Sequence, residues 1–434
     1  MIRKLIALAL ALAPAPVFAQ TAPPVAAEPA VVADPALTAR VNELVPLIAG
    51  GGDFDTYFGA NFRAQFPRAK WTELTGTVTS QLGKPLAIDS IRPASPWTAY
   101  VRVKFERGIL NVQIAVDPAA PHAVISLLLT NAEMAGDSFD KLATDFRALP
   151  GTGGFGVYAL SDGAPKLIGG LNPDSAAPLG SAFKLWVLGE LVRSINAGER
   201  RWADVVPVGQ RSLPSGMTQA WPVSSPVTLQ TLAILMISIS DNTATDTLVT
   251  IEGTKLDAFV GKMGAPGLAP VLTTRQMFAI KSAPNADLAA QWATQPPAAR
   301  RKLLDANTAR LGSTPVDPSM FAGKPVKIDT LEWFASPAQT VKMFDWLRRD
   351  QTALAILSVN HGADPTTVAR FDYVGFKGGS EPGVLTFNFL VRRKDGRWLA
   401  IGANWHRTDA DVDTKTFITL LTRALTIAAE AKID

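Results

Sequence analysis

A serine and a lysine stand three residues apart near the start of a predicted helix. Ser181 and Lys184 follow a loop that contains Pro178 and Gly180, and apolar residues then recur at helical spacing up to Ile195. Residues three apart on a helix share one face. A serine hydroxyl becomes a nucleophile when a base lies within hydrogen-bond reach, and a lysine amine is such a base when burial or a nearby cation lowers its pKa. Alone, the spacing also fits an exposed serine and a surface lysine.

A polar turn between two apolar segments is the second candidate feature. Ser240, Asp241 and Asn242 follow the apolar run of residues 227–237 and precede another predicted helix. Burying such a turn is costly unless its polar groups are hydrogen-bonded. Asp241 or Asn242 would serve as an N-cap of the following helix. The turn therefore fits a structural cap as well as a set of side chains for chemistry.

A lysine and small residues at the end of a predicted strand make the third candidate feature. Residues 371–376 are predicted to form the strand, and the small residues follow directly, as Lys377, Gly378, Gly379 and Ser380. Two more strands are predicted at 384–393 and 397–405, joined by a Lys-Asp-Gly turn. On its own, this feature also fits a hairpin bend.

Further elements surround these three features. Residues 139–149 and 414–431 are predicted helices, and residues 153–160 and 166–170 are predicted to pair as a hairpin. The glycines at the start of this hairpin lack the form of a phosphate-binding loop and are interpreted as a strand entry.

A separate α+β unit is predicted at residues 35–134. Apolar residues at helical spacing in residues 37–48 and an amphipathic stretch at 67–82 precede segments in which polar and apolar residues alternate. The strands are predicted at 86–91, 100–105, 110–116 and 122–130. Helices followed by an antiparallel meander resemble the nuclear-transport-factor/ketosteroid-isomerase-like (cystatin-like) domains. Such domains hold a small molecule or act as scaffolds, and the lack of paired acid–base residues favours a scaffold.

The N-terminus is predicted to be a signal peptide. Residues 1–19 combine a basic start, a short apolar stretch and small residues before a cleavage point after Ala19, and residues 20–34 form a Pro/Ala-rich leader. An N-terminal membrane anchor is the alternative, but the apolar stretch is too short for a membrane-spanning helix. The chain has no cysteine. We expect a periplasmic or secreted protein without a stable membrane anchor after cleavage.

Composition predicts an ordinary folded chain without nucleic-acid partners. The 434 residues are 47% hydrophobic and 18% charged, with a net charge of +4, and this length favours two domains. The longest basic runs, residues 300–302 and 392–394, are short and isolated, so they do not form a nucleic-acid-binding face. His122, His361 and His406 lack the spacing of metal ligands. No metal and no cofactor are therefore expected.

Taken together, the three features resemble the serine β-lactamase and penicillin-binding-protein superfamily, especially its class A-like branch. The motifs of that superfamily are S-x-x-K, S-D-N and K-T-G. They occur here in the same order, at residues 181–184, 240–242 and 377–379. The resemblance covers about residues 137–434, and it implies a domain over residues 135–434 with a central antiparallel sheet flanked by helices.

The resemblance also implies an acyl-transfer mechanism. Ser181 would attack a carbonyl and form an acyl-enzyme, with Lys184 as the base. Ser240 would relay a proton to the leaving group, Asn242 would hold an amide of the substrate, and Lys377 would supply positive charge for a substrate carboxylate. The substrate-binding set would be completed by Gly379 and Ser380, and the backbone N–H groups of Ser181 and Ser380 would form the oxyanion hole.

Two departures from the family pattern concern the substrate carboxylate and the deacylating water. Gly378 replaces the hydroxyl residue of the third motif, and we expect Ser380 to compensate in part. No carboxylate occurs between Asp257 and Asp287, where class A enzymes carry the glutamate that activates water. Gln276 stands about where that acid is expected and is predicted to contact the substrate or the water. The other candidate acids are Glu252, Asp287 and Asp305.

The sequence thus predicts an exported serine hydrolase that acts on a small molecule, either a β-lactam or a related amide or ester. The combination of the two domains also resembles the esterase-like protein of the clavulanic-acid biosynthesis cluster, which favours ester cleavage. The missing glutamate favours an alternative, a penicillin-binding or sensor module that is acylated with little turnover. An esterase or D,D-peptidase-like enzyme is a further alternative.

Overall fold

The computed structural model describes residues 31–433 of the chain. The predicted signal peptide and most of the predicted leader lie outside the described residues. Among the helices of the described range, none combines the length and the apolar character needed to cross a membrane.

The first part of the structure packs short helices on one antiparallel sheet. The helices are α1 Pro35–Ile48, α2 Phe54–Tyr57, α3 Ala60–Gln65 and α4 Arg68–Leu82, and the strands are β1 Pro85–Ser95, β2 Thr98–Phe105, β3 Gly108–Val116 and β4 Val124–Met134. The strands pair in sequence order. Asp34 caps α1, whose apolar face buries Leu37, Val41 and Leu44 against the sheet. The predicted order of helices followed by a meander is present, while the resemblance to ketosteroid-isomerase-like domains stays a prediction.

The second part is built on a five-stranded antiparallel sheet. Its strands are β5 Thr152–Leu160, β6 Lys166–Leu171, β11 Phe371–Glu381, β12 Val384–Arg393 and β13 Trp398–His406, in the order β11-β12-β13-β5-β6. Two two-stranded pairings lie outside this sheet and join β7 Ala177–Pro178 to β10 Phe334–Ala335, and β8 Val205–Pro207 to β9 Pro226–Thr228. Because β11 is an edge strand, one of its sides is free to border a cavity.

Helices cover both faces of the five-stranded sheet. The helices of this part, some of which pack only on other helices, are α5 Phe139–Ala148, α6 Lys184–Asn196, α7 Leu229–Ser238, α8 Asn242–Glu252, α9 Thr254–Lys262, α10 Thr274–Lys281, α11 Ala286–Thr294, α12 Pro297–Ala306, α13 Thr308–Ser313, α14 Pro337–Leu347, α15 Gln351–Leu357, α16 Pro365–Val368 and α17 Thr414–Glu430. One apolar core lies between the sheet and the α6–α8 and α14 group, and a second lies under α5 and α17. The expected α+β architecture with a central antiparallel sheet flanked by helices is confirmed.

An ion pair joins the two parts. Arg370, which immediately precedes β11, lies 2.6 Å from Glu133 of β4, and this partly buried pair holds β4 close to the β11 side of the sheet. Just after β4, Asp137 lies 2.8 Å from Arg423 of α17. The domain boundary near residue 134 stays a prediction.

Candidate active site

Ser181 lies in a single 3-10 turn, Gly180–Phe183, that continues directly into α6. Gly180 has a left-handed backbone with φ of 50°, and a Cβ atom on it would lie 2.9 Å from the backbone nitrogen of Ser380. Glycine is therefore required where this turn approaches β11. Phe183 stacks on Trp333 with ring centroids 3.8 Å apart, which fixes the far end of the turn. Ser181 is half-buried and lines a cavity.

Lys184 is completely buried and directs its amine at the Ser-Asp-Asn turn. Its Nζ lies 2.8 Å from the Ser240 carbonyl oxygen, 3.0 Å from Ser240 Oγ and 2.7 Å from Asn242 Oδ1. Burial and then the charge of Lys377 hold the pKa of Lys184 well below its ordinary value. The amine donates to each of these three oxygens, and the contacts hold Lys184 Nζ against the Ser-Asp-Asn turn.

The Ser181 hydroxyl makes no hydrogen bond to any residue in the range 31–433, Lys184 included. The structure thus brings Lys184 to Ser240 rather than to Ser181, although sequence spacing predicted the Ser181–Lys184 pair. Catalytic hydrogen bonds are often open in a ligand-free site and close when substrate binds. The role of Lys184 as the base for Ser181 stays a prediction.

The Ser-Asp-Asn turn is held by Asp241. This buried carboxylate caps α8 through the Ala244 N–H at 2.9 Å and also accepts from the backbone N–H groups of Met217 and Thr218, both at 2.8 Å. The N-cap interpretation is therefore correct for Asp241. Ser240 is held in a left-handed conformation with φ of 57°, which costs a non-glycine residue on the order of 1–3 kcal/mol. Such strain is characteristic of side chains that must be aimed at a site.

Asn242 is buried and uses both ends of its amide within the protein. Its Oδ1 accepts from Lys184, and its Nδ2 donates to the Leu213 carbonyl oxygen at 2.9 Å. It also lines the cavity. Positioning of Lys184 is thus a role of Asn242 that the sequence did not indicate, and substrate binding by Asn242 stays a prediction.

Lys377 enters the site from the middle of β11 and is buried. Its Nζ donates to Ser240 Oγ at 3.1 Å and to the Gly378 carbonyl oxygen at 2.6 Å. Burial lowers the pKa of Lys377 to about 7. The Ser240 hydroxyl oxygen therefore lies between two lysine amines and accepts from both.

The two glycines after Lys377 face opposite sides of β11. A Cβ atom on Gly379 would lie 2.7 Å from the Ala182 backbone nitrogen, so only glycine lets the strand approach the Ser181 turn. A Cβ atom on Gly378 would instead meet Phe376 at 2.9 Å. A side chain at position 378 would therefore point at Phe376 and Phe387 rather than at the Ser181 turn. The expected compensation by Ser380 stays a prediction. Ser380 is exposed and lines the cavity.

The structure does not support the predicted role of Gln276. Its Oε1 accepts from the Thr273 backbone N–H at 3.0 Å, and the backbone N–H of Gln276 donates to Thr273 Oγ1 at 3.0 Å. These two hydrogen bonds form a capping box at the start of α10. Gln276 is not among the described residues that line the cavity. The Thr-x-x-Gln spacing is a known sequence signature of this cap, so the signal was present.

The sequence did not predict that several buried acids and a buried lysine lie near the site. Asp246 accepts from the backbone N–H groups of Thr274 and Arg275 at 2.6 and 2.9 Å and so fixes the start of α10. Burial raises the pKa of Asp246. Glu332, Glu381 and Lys281 form a second cluster beside the Ser181 turn. No motif marks these residues, because they meet only in the folded chain.

The cavity in front of Ser181 has a volume of about 1480 Å³ and borders both parts of the structure. Thr130 and Asn131 of β4 contribute to its wall together with residues of α17. Its acidic lining residues are Glu332, Asp364, Glu381 and Asp411. The alternative acids Glu252, Asp287 and Asp305 are not among the described lining residues. Within residues 31–433, no group of side chains has the composition of a metal site.

Several solved structures are similar to this chain. A mutant of PBP-A in an acyl-enzyme complex with penicillin G is 16% identical, with 67% of this chain and 96% of that chain covered and a TM-score of 0.47. A β-lactamase from Sphaerobacter thermophilus is 18% identical, with 67% and 95% covered and a TM-score of 0.45. A β-lactamase from Francisella tularensis is 15% identical, with 68% and 98% covered and a TM-score of 0.47. A search of curated proteins found no match.

The family assignment rests on the sequence of the second part of the structure. The model of the beta-lactamase enzyme family matches residues 137–353, a segment that includes the Ser181 turn, α6 and the Ser-Asp-Asn turn. The expected membership of the serine β-lactamase-like superfamily is thereby confirmed. The chain belongs to the beta-lactamase enzyme family and is a serine hydrolase.

Proposed function

We propose that this protein is exported, forms an acyl-enzyme on Ser181 and acts on β-lactams or on related amides and esters. The observation that carries the proposal is the chain of contacts from Lys184 to Ser240 at 3.0 Å and from Ser240 to Lys377 at 3.1 Å, beside a Ser181 hydroxyl that has no hydrogen-bond partner among the described residues. A nucleophile, an amine with a lowered pKa, a hydroxyl that can relay a proton and a second lysine in one site are the groups that acyl transfer requires.

Acylation begins when Ser181 Oγ bonds to the carbonyl carbon of the substrate and its proton passes to the Lys184 amine. The developing oxyanion is stabilised by the backbone N–H groups of Ser181 and Ser380. When the tetrahedral adduct collapses, the C–N or C–O bond breaks and the leaving atom takes the proton of Ser240 Oγ. Lys184 then returns its proton to Ser240 across their 3.0 Å contact, so the proton count is balanced.

Deacylation requires a water molecule to attack the same carbonyl carbon and to release Ser181. The Gln276 side chain is engaged in the capping box. The acids that line the cavity each have a protein partner as well. Asp364 caps α16 and Glu381 pairs with Lys281, while Asp411 and Glu332 accept from backbone N–H groups. This observation favours, as a second candidate, a module that is acylated and turns over slowly.

Export is proposed from the predicted signal peptide alone. In the envelope or outside the cell, a hydrolase with this site would meet β-lactams and cell-wall amides. The absence of cysteine from the sequence is compatible with an oxidising compartment. Localisation of the full-length chain, with and without residues 1–19, by fractionation would test this step.

Time-resolved mass measurement of the purified protein tests the chemistry. The protein is mixed with a chromogenic cephalosporin and, separately, with nitrophenyl acetate. We expect an adduct on Ser181 that appears and decays, with product formed at the rate of its decay. An adduct that accumulates and persists would support the slow module instead.

Matched serine variants provide the control. Ser181→Ala should abolish both adduct and product. Ser238→Ala removes another serine of the cavity wall, whose hydroxyl donates to the Ile234 carbonyl oxygen within α7 at 2.7 Å, and should leave the chemistry intact. Failure of the unmodified protein to form an adduct or product with either compound would refute acyl transfer at Ser181.

A further inference from the structure

Three ionisable side chains are buried together beside the Ser181 turn. Lys281 Nζ, at the end of α10, lies 2.8 Å from both carboxyl oxygens of Glu381. It also lies 3.8 Å from Glu332 Oε1. The side chains of Lys281, Glu332 and Glu381 are 1%, 0% and 8% exposed. Such a cluster is costly to bury, so its retention beside the nucleophile calls for a role.

The cluster touches both segments that carry the predicted oxyanion donors. Glu332 Oε2 accepts from the Gly180 backbone N–H at 3.1 Å, and Gly180 immediately precedes Ser181. Glu381 immediately follows Ser380. Where the two segments meet, a Cβ atom on Gly180 would lie 2.9 Å from the Ser380 backbone nitrogen. A shift of either carboxyl group would therefore change the distance between the two donors.

The charges in the cluster do not balance if both acids are ionised. Lys281 supplies one positive charge, and it forms its short contacts with Glu381. Two buried carboxylates beside one ammonium would leave a net negative charge, so one acid keeps its proton. Burial, the charge of Glu381 and a hydrogen bond to Glu381 raise the pKa of Glu332 well above its ordinary value, against the opposing charge of Lys281. Within residues 31–433, no donor reaches Glu332 Oε1, as expected for the oxygen that carries the proton.

We propose that Glu332, as a neutral acid, is a positioning residue that sets the spacing between the backbone N–H groups of Ser181 and Ser380. The proposal rests on the proposed function, because this spacing matters only if an oxyanion forms there. In its neutral form Glu332 accepts from Gly180 and Trp333 with Oε2 and donates to Glu381 with Oε1. Ionisation of Glu332 would remove that donor and place two anions against Lys281, from which we expect the Ser181 turn and the end of β11 to separate.

The test compares three variants by their rates of acylation with nitrophenyl acetate. Glu332→Gln keeps an oxygen acceptor and a donor but cannot ionise. Glu332→Ala removes both. Glu252→Gln is the matched control, because Glu252 is another buried glutamate with a raised pKa. Glu252 does not line the cavity, and its carboxylate pairs with Arg200 at a distance of 3.0 Å. Adduct formation by the unmodified protein is measured first, and its absence would refute the proposed function rather than this inference.

We expect Glu332→Ala to lower the acylation rate constant by roughly 10- to 100-fold with little change in KM, since a misplaced oxyanion donor weakens the transition state more than the ground state. The acylation rate constant of Glu332→Gln should fall by a several-fold smaller factor than that of Glu332→Ala. The ratio of the wild-type rate to the Glu332→Gln rate should fall as pH rises from about 5 to about 10, because only the wild type can ionise there. The effects of Lys377 and Lys184 titration are common to both proteins and cancel in this ratio.

Thermal unfolding of each variant separates positioning from folding. Glu252→Gln should reproduce the wild-type pH profile of acylation even where it lowers Tm. A Glu332→Ala protein that is folded and acylated at the wild-type rate would overturn the proposal. So would a folded Glu332→Gln protein whose acylation rate falls as far as that of Glu332→Ala, because the glutamine keeps the acceptor and the donor of the neutral acid.

Discussion

Lys184 Nζ lies 3.0 Å from Ser240 Oγ, to which it donates in the ligand-free site. The contact joins the S-x-x-K and S-D-N motifs across α6 and α8. Lys377 approaches the same hydroxyl from β11 at 3.1 Å. In the proposed mechanism, the relay for the leaving group is thus assembled before substrate arrives, and the Ser181 hydroxyl moves toward Lys184 when acylation begins.

Replacement of Lys184 by Met should lower the acylation rate by about 10²–10⁴-fold, the usual loss when a general base is removed. Met has a similar length and suits the buried position, so the fold should persist. Lys255→Met, on the surface of α9, is the control and should be acylated normally. Stopped-flow measurement with the chromogenic cephalosporin checks both, and a fully active Lys184→Met protein would exclude Lys184 as the base.

The left-handed backbone of Ser240 allows its chemistry to be separated from its strain. Ser240→Ala and Ser240→Gly both remove the relay hydroxyl, and both should slow acylation to the same extent. Ser240→Gly should nevertheless be the more stable by about 1 kcal/mol, because glycine adopts a φ of 57° without the Cβ penalty. Denaturant unfolding measures the difference. Equal stabilities would mean that the turn relaxes when the hydroxyl is lost.

The pH dependence should differ between anionic and neutral substrates. Below a pKa of about 7, Lys377 carries a positive charge that attracts a substrate carboxylate, and above it the charge is lost. KM for a carboxylate-bearing cephalosporin should therefore rise as pH increases through about 7, whereas KM for nitrophenyl acetate should not. Steady-state kinetics of the two compounds across this range provide the test, and parallel KM profiles would contradict a role of Lys377 in carboxylate binding.

At the low end of the pH range, the rate constant for acylation should fall for both substrates. The neutral Lys184 amine becomes protonated as pH drops through its depressed pKa, and an ammonium cannot take the Ser181 proton. Presteady-state acylation rates of wild type with nitrophenyl acetate, which carries no titrating group of its own, would reveal this limb. A rate that stays constant to the pH of acid unfolding would argue for another base.

The adjacent glycines of β11 should respond differently to the same added methyl group. Gly379→Ala would press a Cβ atom against the Leu179 carbonyl oxygen and the Ala182 nitrogen, which are both backbone atoms. We therefore expect the free energy of unfolding to fall by about 3 kcal/mol or more and acylation to be lost. Gly378→Ala meets the tip of the Phe376 ring, which can turn aside, and should be tolerated better. Similar losses in Tm and rate for the two variants would show that the two positions are not on opposite sides.

Gln276→Glu should not create a deacylating base. A glutamate here would still accept from the Thr273 N–H in the capping box and would stay outside the cavity. The lifetime of the Ser181 adduct should therefore be unchanged within about twofold. Gln276→Leu is the companion variant and should only cost about 1 kcal/mol of stability by loss of the cap. A Gln276→Glu protein with a much shorter adduct lifetime would place this residue in the water site after all.

The sequence by itself determined the elements and the motif residues. Ser181 and Lys184 at the start of an apolar helix, Asp241 or Asn242 as the cap of the next helix, and Lys377 at the end of a predicted strand follow from local periodicity and turn chemistry, which act over a few residues. The strand continues past Lys377 to Glu381 in the structure. The order of the three motifs was sufficient to indicate the family. Even the true role of Gln276 was encoded locally, as the Thr-x-x-Gln signature of a capping box.

Only the tertiary structure decided how these residues face one another. The register of β11 makes Gly378 face Phe376 and Gly379 face the Ser181 turn, because successive residues of a strand point to opposite sides. Pairing of Lys184 with Ser240, and the gathering of Lys281, Glu332 and Glu381, join segments that lie far apart in the chain. Burial shifts the pKa values of Lys184 and Lys377, and burial is a property of the packed chain rather than of the residue. The sequence therefore determines which residue types are available around Ser181, and the fold determines which of them are in contact and how deeply they are buried.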